Sequence, residues 1–404
     1  MSRAIELAEA LIRIASPNPP SEERAVAEAL ATWLRGVGIE AEVLGVGASD
    51  APQANVFARV RGSGELPPLV LSGHLDTVPA GEGAWRRDPL NPERRDGRLY
   101  GLGAADMKGA VAAMCVAAAR VAATAAERPL RGDLLLAFTS GEETGSAGAR
   151  ALARSGRLDG AGGIVIGEPT ANRVGIAEKG GIWLDLELSG RTAHGSLPHL
   201  GANAAAGLAE ALVRLERAAE SDSPGGLSVA ERRLRDALWR PAHPMLGEPT
   251  LTLTRLAGGV ATNVVPDRAT AVLDVRTLPG QPGGAILEGV AGVLEEVAGR
   301  RGLQGTVGSR GERVALETPA EHPLVLACAV AVSAATGRAA ERCALTGATD
   351  ATELVPALGA PFVICGPGHM DQAHQPDEWV SLGALEESVE IYEHLARALL
   401  GAGG

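Results

Sequence analysis

The chain has 404 residues, 46% hydrophobic, 21% charged and only 2% aromatic, with a formal charge of −12. Its length exceeds the roughly 250–300 residues at which a single core stops growing, so two domains are expected, with cores built from Leu, Val, Ile and Ala. The acidic balance and the lack of any Lys/Arg run exclude a nucleic-acid partner, while leaving room for a locally basic pocket that takes an anionic substrate.

In MSRAIELAEALIRIASPNPP, Glu6, Glu9 and Arg13 interrupt the apolar residues at helical spacing, so no signal-peptide core forms and the segment reads as a mature amphipathic helix. Val26, Leu30, Trp33 and Leu34 then predict a helix within 22–39 that ends at Gly36 and Gly38. Four short apolar runs follow: Leu69-Val70-Leu71, Leu134 to Phe138, Ile164-Val165-Ile166 and Phe362 to Cys365. Runs apolar on both faces, separated by helical stretches such as 107–126, predict a sheet covered by helices on both sides, hence an α/β domain. The segment 110–126 is broken by Arg120 and too short to span a bilayer, so it reads as a buried helix and no membrane association is expected.

Between the third and fourth runs the texture changes. Residues 181–189, part of 250–256, and 268–276 are predicted strands, the first two alternating as a sheet with one exposed face does, and 203–219 and 284–299 are predicted helices. The polar, Pro- and Gly-rich stretch 217–249 reads as a loop or insertion. The chain thus divides into a first domain, 1–179 and 315–404, and an inserted α+β domain, 180–314. Cys115, Cys328, Cys343 and Cys365 lack any CxxC spacing, which argues against a disulfide framework or thiolate site and suits a reducing cytoplasm.

Each apolar run is followed by possible ligands: His74 and Asp76, then Glu142 and Glu143, then Glu168, then His369, Asp371 and His374. Ligand sites in open α/β sheets lie beyond the carboxyl ends of strands. Singly, these residues have plainer readings: His74 is a loop residue, Asp106 in GLGAADMKGA caps a helix, and Glu142-Glu143 is a solvated pair. Together, a His/Asp/Glu/Glu/His set without Cys matches the needs of two Zn2+-like ions about 3.5–4 Å apart, bridged by a carboxylate, with a second glutamate left to move protons.

GHLDTVP, GLGAADMKG, GEETGS, VIGEPT and GPGHMDQAHQPDE, in this order over nearly the whole chain, resemble the M20 metallopeptidase family of acetylornithine deacetylases, succinyl-diaminopimelate desuccinylases, aminoacylases and glutamate carboxypeptidases. The resemblance implies a zinc-peptidase-like catalytic domain with a mixed sheet between helices, interrupted by a lid domain through which a homodimer forms. Carried over by position, His74 and Glu168 would bind one Zn2+, Glu143 and His374 the other, and Asp106 would bridge both. Asp76 would orient His74, Glu142 would be the general base, and a cis peptide would follow Asp106. In the lid, His194 of RTAHGSLPHLGANA would reach the partner subunit's active site and stabilise the oxyanion, while Asn263 and Arg276 would contact substrate. Read on their own, Asn263 makes a turn and Arg276 pairs with a nearby acid. Co2+ or Mn2+ suits the same donors.

The activity implied is hydrolysis of an N-acyl amino acid, with GRLYGLGAADMKG and GPGHMDQAHQPDEWV nearest to acetylornithine deacetylases and so to arginine biosynthesis. The alternatives are a succinyl-diaminopimelate desuccinylase, a broader aminoacylase or dipeptidase and, more remotely, a non-catalytic binding protein on the same fold.

Overall fold

The four apolar runs form the strands Leu69–His74, Leu134–Thr139, Gly163–Ile166 and Phe362–Ile364, each buried along its whole length. In the computed structural model, which describes residues 3–48, 50–81, 83, 85–220 and 226–401, they lie side by side and parallel. Leu69–His74 sits between Leu134–Thr139 and Gly163–Ile166, and the last pairs on its far side with Phe362–Ile364. Because these four strands are parallel and in register, His74, the Glu142–Glu143 turn and the Glu168 loop all leave one edge of the sheet.

Beyond Leu134–Thr139, the strands Ala54–Val60 and Glu40–Gly45 add on in antiparallel order, and Ile364 pairs antiparallel with Gly175, so the sheet is mixed. The helix Lys108–Ala123 is buried around most of its circumference and packs against Arg3–Ile12 and Leu382–Leu400. The latter contributes Leu385, Val389, Tyr392 and Leu395 at helical spacing. Asp106 does not cap Lys108–Ala123, because the N-cap position is Met107 and no side-chain cap bond forms. The peptide joining Asp106 to Met107 is cis.

The chain separates into two compact units, one of 1–176, 317–344 and 349–404, the other of 177–316 and 345–348. In the second, an antiparallel sheet runs in the order Thr250–Gly258, Arg268–Thr277, Gly180–Ser189, Gln304–Arg313. Ile182, Leu184, Leu186 and Leu188 alternate inward opposite Val275, Leu273, Ala271 and Ala269. Together they bury a core with the helices Ala204–Ala219, Val229–Leu238 and Gly283–Arg301.

Two expectations need correction here. The stretch 217–249, read as a loop or an insertion, is not a loop throughout: it holds the helix Val229–Leu238, started by a capping box in which the Ser228 side chain takes the Glu231 N–H while the Glu231 carboxylate takes the Ser228 N–H; 221–225 lie outside the described residues. Part of 250–256, expected to have one buried face, lies in the strand Thr250–Gly258, which is exposed along nearly all its length, at one of the sheet's two edges. Among the described residues no helix is long and apolar enough to cross a membrane. All four cysteines are free and buried.

Candidate metal centre

The strand ends bring two donor groups together around one carboxylate. His74, Asp106 and Glu168 form the first group and Asp106, Glu143 and His374 the second, with the ligand atoms of each group within 4.8 Å of one another. Asp106 serves both through different oxygens: Oδ1 lies 2.9 Å from His74 Nε2, and Oδ2 lies 3.5 Å from His374 Nε2. Glu168 Oε1 is 3.8 Å from His74 Nε2, and Glu143 Oε1 is 3.1 Å from His374 Nε2. His74, Asp106 and Glu168 are buried, whereas the His374 side chain is half exposed.

Burial sets the electrostatics. It pushes the Glu168 carboxyl well above the usual carboxylate range, with the Asp106 charge adding to it and His74 opposing. Burial disfavours a charged His74, yet hydrogen bonds to Asp106 and Asp76 and the charge of Glu168 raise this imidazole well above its ordinary value. The bond to Glu143 raises His374 to about 9, against burial and with help from Asp106. The cluster therefore holds onto positive charge wherever it can.

A divalent pair fits these donors. With the proton on Nδ1, His74 donates to the Asp76 main-chain carbonyl at 3.0 Å, which leaves the Nε2 lone pair facing only carboxylate oxygens. That arrangement repels unless a proton or a cation lies between, and imidazole with carboxylate and no thiolate is a Zn2+, Co2+ or Mn2+ donor set.

Asp76, expected from the sequence, and Asn18 and Glu378, not singled out there, hold the ligands. The Asp76 carboxylate, 3.5 Å from His74 Nδ1, accepts from Asn18 Nδ2 at 2.9 Å, from the Glu143 N–H at 3.1 Å and from the Glu142 N–H at 3.3 Å. Against the cost of burial, the His74 and Asn18 bonds hold it below the usual carboxylate range. Glu142 is buried at the start of this turn. Glu378 accepts the N–H groups of Gly103, Ala105 and Asp106. Burial pushes its carboxyl to about 8 against those bonds, with the Asp106 charge adding, a contribution that cations on Asp106 would reverse. Side chains at two glycines of GPGH would collide with the ligand loops: a Cβ at Gly366 with the Gly167 carbonyl and one at Gly368 with the Ala105 carbonyl. His369 stays outside the cluster, its Nδ1 accepting from the Asp371 N–H at 3.3 Å.

The remaining sequence candidates belong to the second unit. His194 is exposed, with Nδ1 2.7 Å from Ser196 Oγ, and its backbone bridges Val264. The Gly195 N–H donates to the Asn263 carbonyl at 2.7 Å, so His194 and Asn263 occupy adjoining segments, with Asn263 in a turn. Arg276 is held by both oxygens of Asp274, at 2.7 and 3.0 Å, with its guanidinium 5.5 Å from the Trp183 ring centroid.

Residues 70–398 match the sequence profile of peptidase family M20/M25/M40. A probable succinyl-diaminopimelate desuccinylase of Staphylococcus epidermidis is 30% identical, over 98% of this chain and 97% of its own. An acetylornithine deacetylase of Pasteurella multocida is also 30% identical, over 94% and 92%. A dinuclear metal-binding M20 peptidase of Bacillus subtilis shares the fold with a TM-score of 0.73 at 19% identity, covering 98% of both chains.

Proposed function

The chain belongs to peptidase family M20/M25/M40 and is a hydrolase of that family, and on that premise we propose that it removes a small acyl group from an N-acyl amino acid, with N-acetylornithine the favoured substrate. The observation that carries the reading is Asp106, whose two oxygens face two separate histidine and carboxylate sets. We assign His74 and Glu168 to one divalent cation, Glu143 and His374 to the other, and Asp106 to both, with Zn2+ the expected ion and Co2+ or Mn2+ able to replace it.

Such a pair lowers the pKa of water toward about 7 and polarises an acyl oxygen. Glu142 takes the proton of the attacking water and returns it to the departing amine, so the residue ends the cycle ionised as it began. Asp76 holds the His74 ring and, through the Glu142 and Glu143 N–H groups, the turn that carries base and ligand. His194, supplied from the lid of a second copy, donates to the oxyanion, a contact of a kind worth roughly 2.7–4 kcal/mol in the barrier. Asn263 and Arg276 contact the amino-acid part of the substrate, Arg276 through whatever donor capacity Asp274 leaves it. A homodimer through the lid is supported by the edge strand Thr250–Gly258, where Leu253, Leu256 and nearby Val260 are 43%, 58% and 83% exposed. The free cysteines suit a cytoplasmic enzyme of amino-acid metabolism, with arginine biosynthesis the consequence of an N-acetylornithine substrate.

The desuccinylase relative, as similar as the deacetylase, makes release of succinate from N-succinyl-diaminopimelate the second reading. Kinetics on N-acetylornithine, N-succinyl-diaminopimelate and a dipeptide with metal-loaded protein separate these readings, and highest kcat/KM on N-acetylornithine is expected. Turnover of none of them refutes the proposal and returns the non-catalytic alternative.

A further inference from the structure

We propose that Glu378 is a positioning residue that fixes the bridging carboxylate of Asp106 through the main chain of residues 103–106, an inference that rests on the metal-centre reading above. Glu378 is 1% exposed. Its Oε2 accepts the Gly103 N–H at 2.8 Å, and its Oε1 accepts those of Ala105 at 2.7 Å and Asp106 at 3.0 Å. Its own carbonyl accepts the Gly101 N–H at 2.9 Å. Gly101 and Gly103, at φ of 150° and 82°, supply the left-handed backbone that turns these donors toward one point.

His374 precedes Glu378 by only four residues, so one short segment carries a ligand of the second group and anchors the carboxylate shared by both. Asp377, between them, accepts the Arg86 N–H at 3.0 Å and holds the same segment from the loop that follows His74 and Asp76. The 3.5 Å separation of His374 Nε2 from Asp106 Oδ2 is therefore set by Glu378 as much as by the strands. Two acceptor oxygens are required. Glutamine offers one, and its NH2 would face either the Gly103 N–H or those of Ala105 and Asp106 in any orientation. Aspartate, shorter by one methylene, cannot reach both sides.

The test compares E378Q, E378D and S381A. Ser381 caps the neighbouring helix through the Ala384 N–H and touches none of these donors. Zn2+ affinity of the folded protein is measured by chelator competition, the Co2+-loaded protein by its d–d absorption, and kcat and KM at saturating Zn2+. E378Q and E378D are expected to lose roughly 10- to 100-fold in metal affinity, as partners of metal ligands typically do, with a changed Co2+ spectrum and kcat reduced far more than KM. S381A should lower Tm while leaving affinity and spectrum as in the wild type. If E378Q does not fold, E378D carries the same comparison. Wild-type affinity and Co2+ spectrum in a folded Glu378 variant overturn the inference alone, whereas a wild-type protein that binds no metal overturns the metal-centre reading beneath it.

Discussion

Replacing Asp76 with asparagine tests how the first ligand group is held. The carboxylate is 0% exposed. Its Oδ2 receives Asn18 Nδ2 at 2.9 Å and the Glu143 N–H at 3.1 Å, while Oδ1 receives the Glu142 N–H at 3.3 Å and lies 3.5 Å from His74 Nδ1. An amide keeps one acceptor oxygen, so its NH2 must oppose one of these pairs. The cheaper choice keeps the two shorter bonds at the Oδ2 position and leaves the Glu142 N–H facing a donor. A buried donor left unpaired costs about 1–3 kcal/mol, and the long Glu142 contact places this case toward the lower end. His74 retains the Asp76 carbonyl at 3.0 Å, so its tautomer survives while its electrostatic support falls. The expected outcome is a folded protein whose Zn2+ site at His74, Asp106 and Glu168 loses affinity by about 10- to 100-fold, with kcat reduced and KM little changed. Chelator competition, thermal melting of the apo form and steady-state kinetics measure the three quantities. Asp76→Asn with wild-type affinity and kcat would refute the role given to this carboxylate.

Glu142→Gln should retain both metals by elemental analysis while losing at least about 100-fold in kcat, the usual range for a general base being 10²- to 10⁴-fold; normal turnover in the loaded variant would remove Glu142 from the mechanism. In the second unit, burial opposes ionisation of Glu231, but bonds from Arg214, the Ser228 N–H and Arg217 outweigh it and lower its pKa from the ordinary 4.5 to about 2. Its contribution is therefore fully present above about 4.5 and fades as pH falls toward about 2. Arg217 is 44% exposed, so about 1–3 kcal/mol is expected after screening, and the Tm gap between wild type and Glu231→Gln should shrink from pH 7 to pH 3. A constant gap contradicts the assignment. Leu256→Glu on the edge strand Thr250–Gly258 should shift the proposed dimer toward monomer in analytical ultracentrifugation; an unchanged dimer places the interface elsewhere.

The four parallel strands of the first unit were legible because they are buried on both faces and so lack alternation, and because His74, Glu142, Glu143 and Glu168 lie at or just beyond their carboxyl ends. The cis peptide at Asp106 came from resemblance and not from any local signal. Val229–Leu238 escaped because Arg232, Arg233, Arg235 and Asp236 make the stretch look polar, although Ala230, Leu234, Ala237 and Leu238 fall at one face's spacing and Ser228 and Glu231 form a legible capping box. Asn18 and Glu378 could not be found at all. Asn18 meets the Asp76 carboxylate and Glu378 the main-chain N–H groups of Gly103, Ala105 and Asp106, at sequence separations of 58 and up to 275 residues, and no periodicity encodes contacts that only the folded chain creates. Arg276 shows the reverse case, a plain ion pair with Asp274 two residues away on its own strand.

If Asp106 joins two cation sites, crystals loaded with Zn2+ and measured at the zinc absorption edge reveal both. Two anomalous peaks are expected about 3.5–4 Å apart, one beside Asp106 Oδ1, His74 and Glu168 and the other beside Asp106 Oδ2, Glu143 and His374. A single peak, or two peaks away from Asp106, would contradict this role of Asp106.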